Sequence, residues 1–183
     1  MKKESIVLVY TGDGKGKTSA AIGLLARALG AGKRVAFIQF IKDWEVSEHK
    51  FFVAIAPLYD KNFTFYKGGK GFFNAGAASA KNVTDAEHEQ AARETFDFAM
   101  TAATSGEYDL VICDEVNNAA ADGLLTTDDL DKLIKDRAPK TSLCLTGRNF
   151  PEKLLSKVDI ATEMKKIKHH YDDGFLAEEG IDF

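Results

Sequence analysis

A chain of 183 residues, 45% of them hydrophobic, holds enough apolar material for one well-buried domain. Its formal net charge of -4 supplies no basic face of the kind nucleic acid selects, so no nucleic-acid partner is expected. Only two cysteines occur, Cys113 and Cys144, each inside an apolar run, which reads as two buried strand thiols in a reducing, cytoplasmic compartment rather than a disulfide or metal pair.

The chain enters its first apolar run, Ile6-Val7-Leu8-Val9, after five residues, and glycines break that run too soon for a signal peptide or membrane span. The run reads as a buried parallel strand, and the Ala-rich residues 19–29 read as a helix. Between them lies Tyr10-Thr11-Gly12-Asp13-Gly14-Lys15-Gly16-Lys17-Thr18-Ser19. Glycines at 12, 14 and 16 let backbone N–H groups converge on one anion, and the helix N-terminus adds partial positive charge at the same spot. Lys17 supplies a full charge and Thr18 a hydroxyl suited to Mg²⁺, so residues 12–19 (Gly12, Asp13, Gly14, Lys15, Gly16, Lys17, Thr18, Ser19) form a candidate triphosphate cradle. The usual Gly-x-x-x-x-Gly-Lys-Ser/Thr spacing would place glycine where Thr11 stands, so the loop is one residue short. A turn of this kind can also serve only close packing of a helix on a strand.

Residues 34–40 read as a second buried strand, completing a βαβ unit whose right-handed crossover implies a parallel sheet. A helix over 47–56 is expected to stop at Pro57, and 63–66 form a short strand. From 67 to 83, Gly68, Gly69, Gly71 and Gly76 punctuate Lys67, Lys70, Phe72 and Phe73, a long irregular stretch that is either functional or a plain surface loop. Thr84 and Glu87 make a capping box for a helix closing near Gly106. Residues 108–115 read as a buried strand ending in Asp114 and Glu115, a Walker-B pattern that offers Mg²⁺ ligands beside Thr18; the alternative is two acids capping a following helix. A helix at 127–138, a strand at 141–146 ending in Gly147-Arg148-Asn149, a short helix at 151–157 and a last strand at 160–167 follow. The fold class is α/β: a doubly wound, mostly parallel sheet of about five or six strands with helices on both faces, one domain over 1–183.

These segments resemble the P-loop-type ATP:corrinoid adenosyltransferases. The family signature T-G-N-G-K-G-K-T-T-A-A closely resembles Thr11 to Ala21, with Asp13 in place of Asn and Ser19 in place of the last Thr; Gln39-Phe40-Ile41-Lys42 matches Q-F-I-K, with Asp43 where the family has glycine. Gly71-Phe72 matches a Gly-Phe pair, Asp114-Glu115-Val116-Asn117 matches D-E-x-N, and Thr146-Gly147-Arg148 matches T-G-R. The tail 168–183 resembles K-H-x-F/Y-x-x-G-x-x-A-Q-x-G-I-D/E-F/Y, with Glu178 replacing Gln. On its own His169 reads as an exposed polar residue; the resemblance brings it and the tail into the active-site region.

The resemblance implies ATP held in reverse orientation, attack on the ribose C5′ by the Co(I) of a corrinoid, and triphosphate as leaving group. It implies that Lys17, Thr18 and Glu115 carry catalysis and that Thr18, Asp114 and Glu115 hold Mg²⁺ or Mn²⁺. Arg148 lies near the phosphates, and Phe72 and Phe73 flank the corrinoid. It also implies an electron donor that reduces Co(II) to Co(I), and a homodimer. With five residues before the first strand, the N-terminal arm that relatives place over a partner's site is expected to be missing. The alternatives are an ordinary P-loop ATPase or kinase attacking the γ-phosphate, and a non-catalytic nucleotide-gated corrinoid carrier or regulator.

Overall fold

In β1 (Val7–Thr11), Val7 and Val9 face one layer and Leu8 the other, the two-residue period of a strand covered on both sides. The computed structural model describes residues 4–71, 73 and 83–183, and in it five more strands run parallel to β1. These are β2 (Val35–Gln39), β3 (Phe63–Lys67), β4 (Leu110–Asp114), β5 (Ser142–Thr146) and β6 (Ile160–Glu163), in the order β3-β2-β4-β5-β1-β6. The expected parallel α/β sheet is therefore present with six strands.

Helices α1 (Lys17–Gly30) and α2 (Ser47–Tyr59) cover the face that carries Leu8, Phe37, Ile112 and Cys144. Helices α3 (Asp85–Thr104), α4 (Val116–Ala121) and α5 (Thr127–Asp136) cover the other, with Val9, Ile38, Cys113 and Leu145. Cys113 and Cys144 are thus buried on opposite sides of the sheet, as single core thiols. In α5, Leu130, Leu133 and Ile134 bury one stripe, each contributing about 1.5–3 kcal/mol of transfer free energy. The Thr84–Glu87 capping box starts α3 as expected, and Thr126 with Asp129 repeats the device for α5. No helix among the described residues is long and apolar enough to cross a membrane.

Three local expectations change. Helix α2 runs through Pro57 to Tyr59, because at the last turn the missing N–H forfeits only a bond to the carbonyl of exposed Val53. β4 ends at Asp114; Glu115 takes a left-handed backbone (φ 64°) and turns the chain directly into α4. β6 stops at Glu163 rather than 167, since Met164, after donating its N–H to the Thr11 carbonyl, leads the chain over the 12–16 loop.

Candidate active site

The strand order sets the site. β1 and β4 are separated by β5, so the glycine loop after β1 and the acids after β4 straddle the end of β5, at the carboxyl edge where parallel sheets receive ligands. Gly12 (φ 97°) and Gly16 (φ 109°) hold conformations that side chains rarely adopt, and Gly16 delivers the chain into α1 with Lys17 as its first residue. The Lys17 ammonium curls back to donate to the carbonyls of Gly12 (2.7 Å) and Gly14 (2.8 Å). Burial pulls its pKa below the ordinary lysine value, against the opposing pull of Glu115.

Asp114 is fully buried and gripped from two sides. Thr146 Oγ1 donates to its Oδ1 at 2.7 Å; Gln39 Nε2 and Thr18 Oγ1 donate to its Oδ2 at 3.0 and 3.3 Å. The same Thr146 hydroxyl accepts the Glu115 backbone N–H at 2.9 Å, which ties the two acids to β5. Glu115 is different: its Oε2 is buried with no hydrogen-bond partner among the described residues. Burial, and then the neighbouring Asp114 charge, push its pKa up to about 7. An orphaned carboxylate oxygen beside a second carboxylate and a threonine hydroxyl is a hard-oxygen donor set that fits Mg²⁺ or Mn²⁺.

Lys42 stands beside these acids, its Nζ 2.9 Å from Glu48 Oε1 and 3.9 Å from Asp114 Oδ2. Burial opposes its charge, but Asp114 and Glu48 outweigh that and raise its pKa.

Asp13, Gly14, Lys15, Gly16, Lys17, Thr18 and Ser19 line a cleft of about 680 Å³, together with Glu115 and Arg148. Gly12 sits below, its carbonyl on Lys17. The far wall is the tail: His169, Tyr171, Ile181, Asp182 and Phe183 all face the cleft. Lys15 Nζ meets Asp182 Oδ1 at 2.7 Å, and Ser47 Oγ donates to the Phe183 carbonyl at 2.7 Å. His169 Nδ1 accepts the Tyr171 N–H at 3.2 Å. The loop also touches the segment between β6 and the tail through the backbone, with Gly14 N–H donating to Met164 O at 2.6 Å. Phe73 does not line this cleft: it is half-buried against the α3 layer, its ring 5.3 Å from that of His88. Phe72 lies outside the described residues.

Sequence reading did not single out Gln39, Lys42, Glu48, His49 or Thr146 as site residues. Their signal was a polar residue at the carboxyl end of an apolar strand, at 39 and again at 146, and the lysine three positions after Gln39.

A glycine-bounded anion loop between β1 and α1, with a carboxylate at the end of β4 and a six-stranded parallel sheet, defines a P-loop nucleotide-binding protein. The family model described as ATP:corrinoid adenosyltransferase BtuR/CobO/CobP matches residues 3–183, and the chain belongs to that family. It is 30% identical over 183 residues to the corrinoid adenosyltransferase of Escherichia coli K12, covering 99% of this chain and 87% of that one. Corrinoid adenosyltransferase CobA of Salmonella typhimurium is 30% identical over 187 residues, covering 100% and 87%. Among solved structures, a KaiC-like protein from Pyrococcus horikoshii OT3 matches 81% of this chain and 65% of its own with a TM-score of 0.49 at 14% identity. The chain is accordingly an enzyme, a nucleotide-binding transferase of corrinoid adenosylation.

Proposed function

We propose that this chain moves the 5′-deoxyadenosyl group of ATP onto the Co(I) of a corrinoid and releases inorganic triphosphate. The observation that supports this most is the distribution of chemistry in the cleft. One end concentrates Lys17, Arg148, Thr18 and Glu115, with the buried Asp114 behind Thr18, while the only two thiols of the chain are buried in β4 and β5 with their pKa values raised by burial. The cleft offers positioning and charge neutralisation, and the attacking electron pair comes from the substrate.

In that reaction Co(I) donates two electrons to C5′, the C5′–O5′ bond breaks, and the triphosphate leaves with the bonding pair; cobalt becomes formally Co(III). Lys17 exchanges the Gly12 and Gly14 carbonyls for phosphate oxygens, a swap that its 2.7 and 2.8 Å contacts leave within reach. Arg148 supports the same charge from the β5 side, and the loop N–H groups of residues 15–19 orient the phosphates. Thr18, Asp114 and Glu115 would hold Mg²⁺ or Mn²⁺, which when bound supplies further neutralisation of the polyphosphate. We take the tail 168–183, with His169, as the wall that excludes water from the nucleoside, within a single domain spanning 1–183. Phe72 is the aromatic assigned to the corrinoid's lower face, with Phe73 anchoring that segment on His88. An external one-electron donor to Co(II), a homodimer and a cytoplasmic setting complete the reading.

An anaerobic assay of adenosylcorrinoid formation, followed by its absorbance change and by analysis of the phosphate product, tests this. Triphosphate in equal amount to adenosylcorrinoid is expected; ADP without adenosylcorrinoid would instead establish a γ-phosphate-directed enzyme.

A further inference from the structure

The Asp114 carboxylate is held on one side by Thr146; on its other side it accepts from Thr18 and from Gln39, the near end of a chain of polar groups that reaches back to α2. Gln39 lies in β2 directly opposite Asp114 in β4 and is completely buried. His49, in the first turn of α2, is 7% exposed. We propose that Gln39 and His49 are positioning residues that fix the Asp114 carboxylate for the divalent cation of the nucleotide. The proposal rests on the reading of Thr18, Asp114 and Glu115 as that cation's ligands.

The chain has only one self-consistent direction. A backbone N–H can only donate, and that of Val46 points at His49 Nδ1 at 3.4 Å, so Nδ1 carries the lone pair and the neutral ring bears its hydrogen on Nε2. Nε2–H then donates to Gln39 Oε1 at 2.5 Å, which fixes the orientation of the amide. The amide NH₂ in turn faces Asp114 Oδ2 at 3.0 Å. A flipped amide would set a carbonyl against a carboxylate and an NH₂ against an N–H, two repulsive contacts in a site closed to water. Burial keeps His49 below the ordinary histidine pKa and so in the neutral form this arrangement needs. A direction imposed at the start of α2 is thereby transmitted across β2 to a carboxylate in β4.

The test compares Mn²⁺ affinity of the ATP-loaded protein, measured by water-proton relaxation, with ATP affinity measured in chelator. Gln39→Met fills a similar volume without a donor, and His49→Phe keeps an aromatic ring without one. Each is expected to weaken Mn²⁺ about tenfold, as loss of a group behind a metal ligand typically does, while ATP binding in chelator stays unchanged. His49→Gln restores an N–H donor near the Nε2 position and is expected to recover the Mn²⁺ affinity. In the wild-type protein without metal, ¹⁵N-histidine spectra should show His49 protonated on Nε2. Wild-type Mn²⁺ affinity in both Gln39→Met and His49→Phe overturns the proposal. So does a parallel loss of metal-free ATP binding, which would mark general support of the fold, or a His49 protonated on Nδ1. A wild-type protein that binds ATP yet takes up no Mn²⁺ would remove the cation reading of the site itself, an outcome separate from these.

Discussion

The two walls of the cleft are built by different physics. At the phosphate end the decisive groups are buried and held by strand ends: Asp114 is fully enclosed and takes hydrogen bonds from β2, β5 and α1. At the tail end the ties are partly exposed ion pairs, such as Lys50–Glu179, whose side chains are 61% and 66% exposed. Solvent and salt weaken the second kind of tie and barely reach the first. The phosphate wall is therefore held by contacts enclosed within the sheet, whereas the tail wall is held largely by contacts that water and salt can reach. The two are joined where Met164 crosses the loop, donating its N–H to Thr11 O and accepting the Gly14 N–H, and where Lys15 reaches Asp182.

The largest effect is expected at the rigid wall. Lys17→Ala removes the charge proposed to trade loop carbonyls for phosphate, and a lost charge-assisted contact costs about 1.5–3 kcal/mol, or roughly tenfold to over a hundredfold in kcat/KM. Steady-state kinetics on Lys17→Ala checks it, and wild-type turnover would sink the phosphate-cradle reading. Next comes the junction. A Cβ at Gly14 would lie 2.5 Å from Met164 O and 2.8 Å from the Lys165 carbonyl carbon, both backbone atoms that cannot step aside alone. Gly14→Ala should cost about 1–3 kcal/mol of stability, as overpacking does, and loosen the tail to protease digestion. A protected tail and unchanged unfolding midpoint would show the two walls to be uncoupled.

What the sequence disclosed of this site follows the same division. The strand–glycine loop–helix turn was legible because strand, glycines, Lys17 and Thr18 are consecutive, so local conformation alone brings them together. Asp114 and Glu115 were legible as acids ending an apolar run. Gln39, His49 and Thr146 were not, because their roles depend on β4 lying between β2 and β5, a neighbour relation between segments far apart in the chain. The turn at Glu115 was missed for a related reason: a left-handed backbone on a glutamate goes against local preference and is imposed by the Thr146 hydroxyl and the packing of Val116. Likewise, the alternation after residue 160 looks like a continuing strand until the loop at Gly14 captures Met164.

A smaller effect separates the walls by pH. In the metal-free protein the folded Glu115 titrates near 7, above its ordinary 4.5, so between those values the folded state holds more protons than the unfolded one. The contribution is favourable below pH 4.5 and is lost as pH rises through 7. Glu115→Gln should flatten that slope in denaturation measured in chelator, and should also raise the metal concentration needed for activity. Superimposable stability profiles for Glu115→Gln and wild type would mean that the Glu115 carboxyl is as solvated as any surface acid.

The smallest effect belongs to the tail. Asp182 ties the phosphate loop to the C-terminus through Lys15 at 2.7 Å and faces His170 Nε2 at 3.3 Å, so one carboxylate joins the loop to two tail segments. Asp182→Asn keeps the shape and removes the charge. Half of the Lys15 pair is open to water, its side chain 40% exposed, so the loss should raise KM for ATP by no more than about fivefold at low ionic strength. Above roughly 0.5 M salt the variant and wild type should converge, because screening has by then removed most of what the pair contributed. Lys17→Ala, by contrast, should stay impaired at every salt concentration. An Asp182→Asn defect that persists undiminished in high salt would place Asp182 in direct contact with substrate and make the tail as fixed a wall as the phosphate loop.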